Sequence, residues 1–455
     1  VGGSVLLGNA AADLARFTVS GASTTFSGLN GGYAQFTVGA SATGTTDGGG
    51  VITQYGGEFI QNDGDVNLDL RLEIGKNLGA TGKYELNGGT FTHDQFNGIC
   101  AIGGAQFDGG APDDANGYGV FRQTGTSVSN WNYTVSVGAN VGSTGMYEMV
   151  GGTANFNSNL YVGSSSTGDV AGTGTYGGTF VQDGGDVFVG PASEQRLYIG
   201  SGAGSTGKYV MNDGTLTGHG PSWAADLVVG EAGTGVFEQN GGVVDMTHNG
   251  IKLGRSSGVG TYELNGGTLR AKFIQPVSAG SSFVMTGGRL EAGSVAAALV
   301  NGGGTIAPGL STGLTYCNDS YTATSADAEL EIEMAGTTQA ASASDPGTYD
   351  FFTVYGTGRT AALNGILSVK LIDGFESTIQ DTDTFDVLFA SGGITGTFTN
   401  LDGDSRVDEA NGLGSFLVTV GGTTVTLSDW VPAPADLPGD TDGDGDVDIN
   451  DLSTL

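Results

Sequence analysis

Residues 260–269 read GTYELNGGTL, and residues 82–91 read GKYELNGGTF. In each, an aromatic is followed two residues later by Leu and five residues later by Gly. The pattern recurs nine times, with aromatics at Phe59, Tyr84, Phe121, Tyr147, Phe180, Tyr209, Phe237, Tyr262 and Phe283. Two residues on stand Gln61, Leu86, Gln123, Met149, Gln182, Met211, Gln239, Leu264 and Met285. The fifth position is Gly in eight repeats and Thr126 in the ninth. A second motif, apolar–x–apolar–Gly, alternates with the first, as in Leu72/Ile74/Gly75, Leu197/Ile199/Gly200 and Ile251/Leu253/Gly254. Apolar residues two apart are the period of a strand with one buried face. The Gly after each strand admits the positive φ of a sharp corner.

Successive aromatics lie 25, 37, 26, 33, 29, 28, 25 and 21 residues apart. That is one coil of a parallel β-solenoid: two or three short strands joined by corners, with coils stacked ~4.8 Å apart. Phe and Tyr then form one internal column, and the longer repeats carry loops, as at 104–115. A β-propeller is the competing repeat fold; its blades need ~40–50 residues and four strands, so the shorter period argues against it. The repeat also has a finer alternation. Phe goes with Gln at 59/61, 121/123, 180/182 and 237/239, and Tyr goes with Leu or Met at 84/86, 147/149, 209/211 and 262/264. Two explanations stand: the Gln side chains hydrogen-bond within or across coils, or a two-coil ancestor was duplicated.

Composition agrees. Of 455 residues 86 are Gly, which excludes a mainly helical protein, and with 9 Pro and no three-residue period it excludes collagen. Fifteen basic against 48 acidic residues give a net charge of −33, which argues against a nucleic-acid partner. No apolar run approaches the ~18 residues of a membrane span. The chain opens at Val1 without a basic-then-apolar leader, as expected where a signal peptide has been removed or lies outside the sequence. Cys100 and Cys317 read as two isolated core thiols, with a disulfide as the alternative.

Residues 1–300 form the predicted solenoid of about nine or more coils. Residues 301–309 (NGGGTIAPG) read as its terminating loop, and 301–430 as a small sandwich-like β domain or cap. Strands are expected there at Phe351–Tyr355, Leu363–Ile372, Thr384–Ala390, Phe416–Val420 and Thr423–Leu427, separated by Asn-Gly, Asp-Gly and Gly-Gly turns. Residues 431–439 (VPAPADLPG) read as a Pro-rich linker. The coils at 82–91 and 260–269, with AALNGILSVKLIDGF and DTDTFDVLFASGGITGTF beyond them, resemble secreted bacterial β-solenoids related to autotransporter passengers. The resemblance implies a structural or adhesive role; without a membrane-barrel translocator in this sequence, self-export as an autotransporter is not expected.

The tail, residues 440–455, opens with DTDGDGDVDIND. Asp440, Asp442, Asp444, Asp448 and Asp451 occupy positions 1, 3, 5, 9 and 12 of a calcium loop, with Gly445 at the turn and the Asp446 carbonyl at position 7. Oxygen ligands at this spacing wrap one Ca²⁺. The loop resembles one of the two EF-hand-like loops of type I dockerins.

Other motifs carry little. Gly309–Gly313 matches G-x-S-x-G, and Gly202–Gly207 and Gly172–Gly177 match G-x-G-x-x-G, but none has the strand-then-helix setting its chemistry needs. His93, His219 and His248 share no metal-like spacing and are expected on loops. Trp131, Trp223 and Trp430 are expected to pack. The chain reads as a non-enzyme: an extracellular or cell-surface structural or adhesive solenoid. It is expected to polymerise into a fibre, sheath or surface layer or to engage a cell surface or polysaccharide, with Ca²⁺-dependent attachment through its tail. The alternative is a polysaccharide lyase, hydrolase or sugar-binding module, for which Asp63/Asp65, Asp113/Asp114 and Asp183/Asp186 are the candidate carboxylates.

Overall fold

A computed structural model describes residues 56–69, 71–76, 79–94, 100–104, 117–139, 143–164, 177–191, 195–220, 226–310, 312–341 and 347–433, with the segments 5–7, 15–20, 25–27, 35–39, 45–46 and 52–54 before them. The chain divides into two compact units, Val1–Leu299 and Val300–Leu455. It is all-β: among the described residues the helical element is a single 3₁₀ turn at Phe375–Ser377. No helix there is long and apolar enough to cross a membrane.

The first unit is a parallel β-solenoid with three strands per coil. One coil consists of Leu197–Ile199, Thr206–Met211 and Thr215–Gly218. Each strand pairs in parallel with its equivalent in the next coil: Leu197 with Leu227, Tyr209 with Phe237, Leu216 with Val244. The two sequence motifs are the first and second strands. The third strand begins at the residue after the motif Gly, and its alternation is visible in Thr90–His93, Thr153–Phe156 and Thr268–Ala271. The column also begins one coil earlier than the motif, because Phe17 of Ala15–Val19 pairs with Phe59.

Corners follow the glycines. Gly75, Gly200 and Gly254 after first strands, and Gly89, Gly214 and Gly267 after second strands, all have φ between 66° and 90°. The repeat with Thr126 carries one extra residue, and its left-handed position moves to Gly125, φ 65°. A second glycine column has another cause. Gly82, Gly119, Gly145, Gly178, Gly207, Gly235 and Gly260 share one register position on the second strands. A Cβ on any of them would collide with the carbonyl oxygen of a neighbouring first strand, Val162 in the case of Gly207.

The second unit contains three more parallel ladders. Leu314–Cys317 pairs with Phe351–Val354 and that with Phe385–Ala390; Tyr321–Ala323 pairs with Ala361–Leu363 and that with Ile394–Gly396; Thr305–Pro308 pairs with Glu329–Met334 and that with Ile366–Leu371. Among the described residues of this unit, antiparallel strand pairs come at the end, through Arg406–Asp408, Gly414–Val420 and Thr424–Pro432, the last also pairing with Phe385–Ala390; before them there is an isolated antiparallel bridge between Met334 and Tyr349. The pairing is thus coil-like through residue 396, where a sandwich-like arrangement was expected. Alternation alone does not distinguish parallel from antiparallel partners. The expected terminating loop at 301–309 likewise holds strand Thr305–Pro308. Buried Asn301 makes the turn before it: its Oδ1 accepts the N–H groups of Gly303 and Gly304, and its Nδ2 donates to the Gly304 carbonyl. The expected strand Leu363–Ile372 is broken at Gly365, φ 104°, into Ala361–Leu363 and Ile366–Leu371.

Candidate functional site

Inside the first unit the rings stack face to face. From Phe59 to Tyr262 successive centroids lie 4.5–5.0 Å apart, which is the spacing of the strands that carry them. All eight rings are buried, as are the four Gln side chains. The alternation of Phe/Gln with Tyr/Leu or Tyr/Met is a hydrogen-bonded unit spanning two coils. Tyr84, Tyr147, Tyr209 and Tyr262 donate to the Oε1 of Gln61, Gln123, Gln182 and Gln239 at 2.7–2.8 Å. Each Gln Nε2 donates to two carbonyls, one in its own coil and one in the next; for Gln182 these are Gly185 and Thr215, at 3.0 and 2.8 Å. A buried amide needs such partners, and a Tyr in the following coil supplies one. Burial pushes the phenols of Tyr84, Tyr209 and Tyr262 well above their ordinary range, so they remain donors.

Polar residues on the outside are also bonded from coil to coil. At the corner after the second strand, Asn212 donates to Asp183, Asn240 to Asn212, Asn265 to Asn240 and Thr286 to Asn265. Asn87 and Thr124 extend the same arrangement from Asn62. On the outer face of the second strands, Arg122 bridges Glu85 and Glu148, and Lys208 meets Glu238 at 2.6 Å. Lys208 and Asn240 hold the Glu238 carboxyl below its ordinary range.

The candidate carboxylates fall into this pattern. Asp63 accepts the Gly64 N–H within its own turn, Asp183 is a rung of the corner ladder, and Asp186 accepts the Thr215 hydroxyl. Asp113 and Asp114 lie outside the described residues. So do the calcium-loop residues Asp440, Asp442, Asp444, Asp446, Asp448 and Asp451, and Trp223. Trp131 is fully buried, with Nε1 donating to Ser129 at 3.1 Å, and Trp430 packs on Phe416. Cys100 and Cys317 are both buried and not joined in a disulfide. Gly309–Gly313 joins strands Thr305–Pro308 and Leu314–Cys317, and Gly202–Gly207 leads into Thr206–Met211, so neither precedes a helix.

The histidines are distributed unequally. His93 is buried at the end of a third strand near Trp131. His219 and His248, 29 positions apart, follow the third strands of successive coils, and their rings come within 5.9 Å. Behind them lies Asp226, which sequence reading passed over. Its Oδ1 accepts the Gly220 N–H, and its Oδ2 accepts those of Asn249 and Gly250. Asn249 Nδ2 returns a bond to the Gly220 carbonyl. The carboxylate thereby ties two coil corners together. Burial raises its pKa against the opposing effect of these donors and of His248. Among the described residues, no group of three or more His, Cys, Asp or Glu is arranged to hold a metal ion.

In the second unit Asp350, 1% exposed, accepts the N–H groups of Gly313 and Glu333. Burial, with Glu333 and Glu331 nearby, pushes its carboxyl up to about 8. Glu409 accepts the N–H groups of Leu371, Asn411 and Leu413. Both carboxyls tie backbone segments together.

The chain matches no protein-family model and no curated protein.

Proposed function

We propose that this chain is an extracellular structural or adhesive β-solenoid, carried by a secreted or cell-surface protein, whose acidic tail takes Ca²⁺ for attachment or assembly. The observation that carries the reading is the use made of the recurring polar residues. Inside, Gln and Tyr bond across coils; outside, Asn, Asp and Thr do the same. These residues maintain the stack, as a scaffold requires. The tail spacing Asp440, Asp442, Asp444, Asp448 and Asp451, with the Asp446 carbonyl, supports one Ca²⁺ site of the dockerin-like kind. The resemblance to autotransporter-related solenoids supports the location and the adhesive role. Assembly into a fibre, sheath or layer follows if the contact between copies joins non-identical faces, which need not close.

The test is sedimentation velocity and electron microscopy of the full chain in millimolar Ca²⁺ and in chelator. Calcium-dependent assemblies, abolished by Asp442→Asn with Asp444→Asn, are expected. Monodisperse monomer in both conditions overturns the assembly role, and turnover of a polysaccharide overturns the non-enzymatic reading.

A further inference from the structure

His219 and His248 stand 29 positions apart, a separation that shows no metal-like spacing in the sequence. The coil repeat places them on adjacent corners, with ring centroids 5.9 Å apart and planes inclined by 43°. Zinc sits ~2.0–2.1 Å from an imidazole nitrogen, so one ion shared by two rings separates their centroids by roughly 5–6 Å. A second, independent observation concerns His219 itself. Its Nδ1 is buried and has no hydrogen-bond partner, whereas buried polar atoms are nearly always bonded. The residue is positioned by its backbone N–H, which donates to the Val189 carbonyl.

We infer that His219 and His248 form a binding site for a borderline transition-metal cation, Zn²⁺ or Cu²⁺, with water completing the coordination. Imidazole suits these ions, whereas Ca²⁺ takes oxygen ligands. The oxygens of Asp226 hold three backbone N–H groups, so Asp226 serves as a rigid support and a nearby negative charge. His248 is exposed, which leaves an entry path from solvent.

The experiment is calorimetric titration of the full chain with Zn²⁺ in saturating Ca²⁺, which keeps the acidic tail occupied. Cu²⁺ electron paramagnetic resonance under the same conditions reports the ligand atoms. One ion per chain with two nitrogen ligands is expected. Exposed His248→Ala should weaken Zn²⁺ binding by at least about tenfold and remove one nitrogen from the spectrum, with unchanged circular dichroism. His219→Gln should remove the other nitrogen. Absence of binding, oxygen-only ligation, or affinity unchanged in His248→Ala would each overturn the assignment.

Discussion

Tyr209→Phe removes one oxygen from a fully packed column. The ring remains between Phe180 and Phe237, 4.5 and 4.8 Å away, so no stacking is lost. What is lost is the 2.7 Å bond to Gln182 Oε1, which is then buried without that donor. Stranding such an acceptor costs about 1–3 kcal/mol. Gln182→Leu strands the Tyr209 hydroxyl and also removes the amide bonds to the Gly185 and Thr215 carbonyls. At about 0.5–1.5 kcal/mol for each of the two lost bonds in addition, this change should cost about 2–6 kcal/mol. Leu is close to Gln in size, so the cavity contribution is small. In the double variant neither group waits for the other, and the combined loss should fall short of the two single losses by about 1–3 kcal/mol. Equilibrium urea unfolding of the four proteins gives the cycle. Hydrogen exchange over Thr206–Met211 and its neighbours localises it, because repeat arrays lose stability locally. Losses additive to within about 0.5 kcal/mol would refute the pairing, as would an unchanged melting temperature after all four Gln are replaced by Leu.

Three further outcomes follow from the same structure. Asp350 titrates at about 8 when folded, against an ordinary 3.8. Its contribution is therefore complete below pH 3.8 and lost as pH rises through about 8. The unfolding midpoint of the second unit should fall between pH 6 and pH 9 by more in the wild type than in Asp350→Asn; equal slopes would contradict this. Gly207→Ala forces a Cβ onto the Val162 carbonyl, at a cost of at least about 1–3 kcal/mol, whereas Gly403→Ala meets nothing within 4 Å and should change the melting temperature little. Lys208→Ala breaks a partly exposed ion pair with Glu238 and should cost under about 1 kcal/mol in urea unfolding, decreasing with salt.

Legibility in the sequence followed the physics of each feature. Strand faces and corners were readable because alternation and Gly act over a few residues. Thus Tyr262, Leu264 and Gly267 identified a second strand, its buried face and its corner. The third strand was harder to see, since segments such as Asp186–Val189 are short and mark only one or two buried positions. The Gln–Tyr alternation was visible, but its partner assignment needed the stacking direction: Gln182 is bonded to the ring of the coil after it. Gly207 was quoted within a motif without a reason, because the carbonyl that excludes its side chain belongs to Val162, more than forty residues earlier. The parallel pairing of Glu329–Met334 was hidden for a similar reason: Glu alternating with Leu330, Ile332 and Met334 describes a face and leaves the partner open.

The sequence by itself determined that this protein is an all-β coil repeat, where its chain turns, and which aromatics share one column, because these depend on side-chain period and backbone freedom within a single coil. Tertiary structure decided what those coils bring together: the Gln–Tyr units, the Asn ladder, the backbone tie of Asp226, and the meeting of His219 with His248. The reason is the register. Parallel stacking sets equivalent positions about 4.8 Å apart whatever their separation in sequence, so twenty to forty intervening residues conceal contacts that a single strand spacing creates.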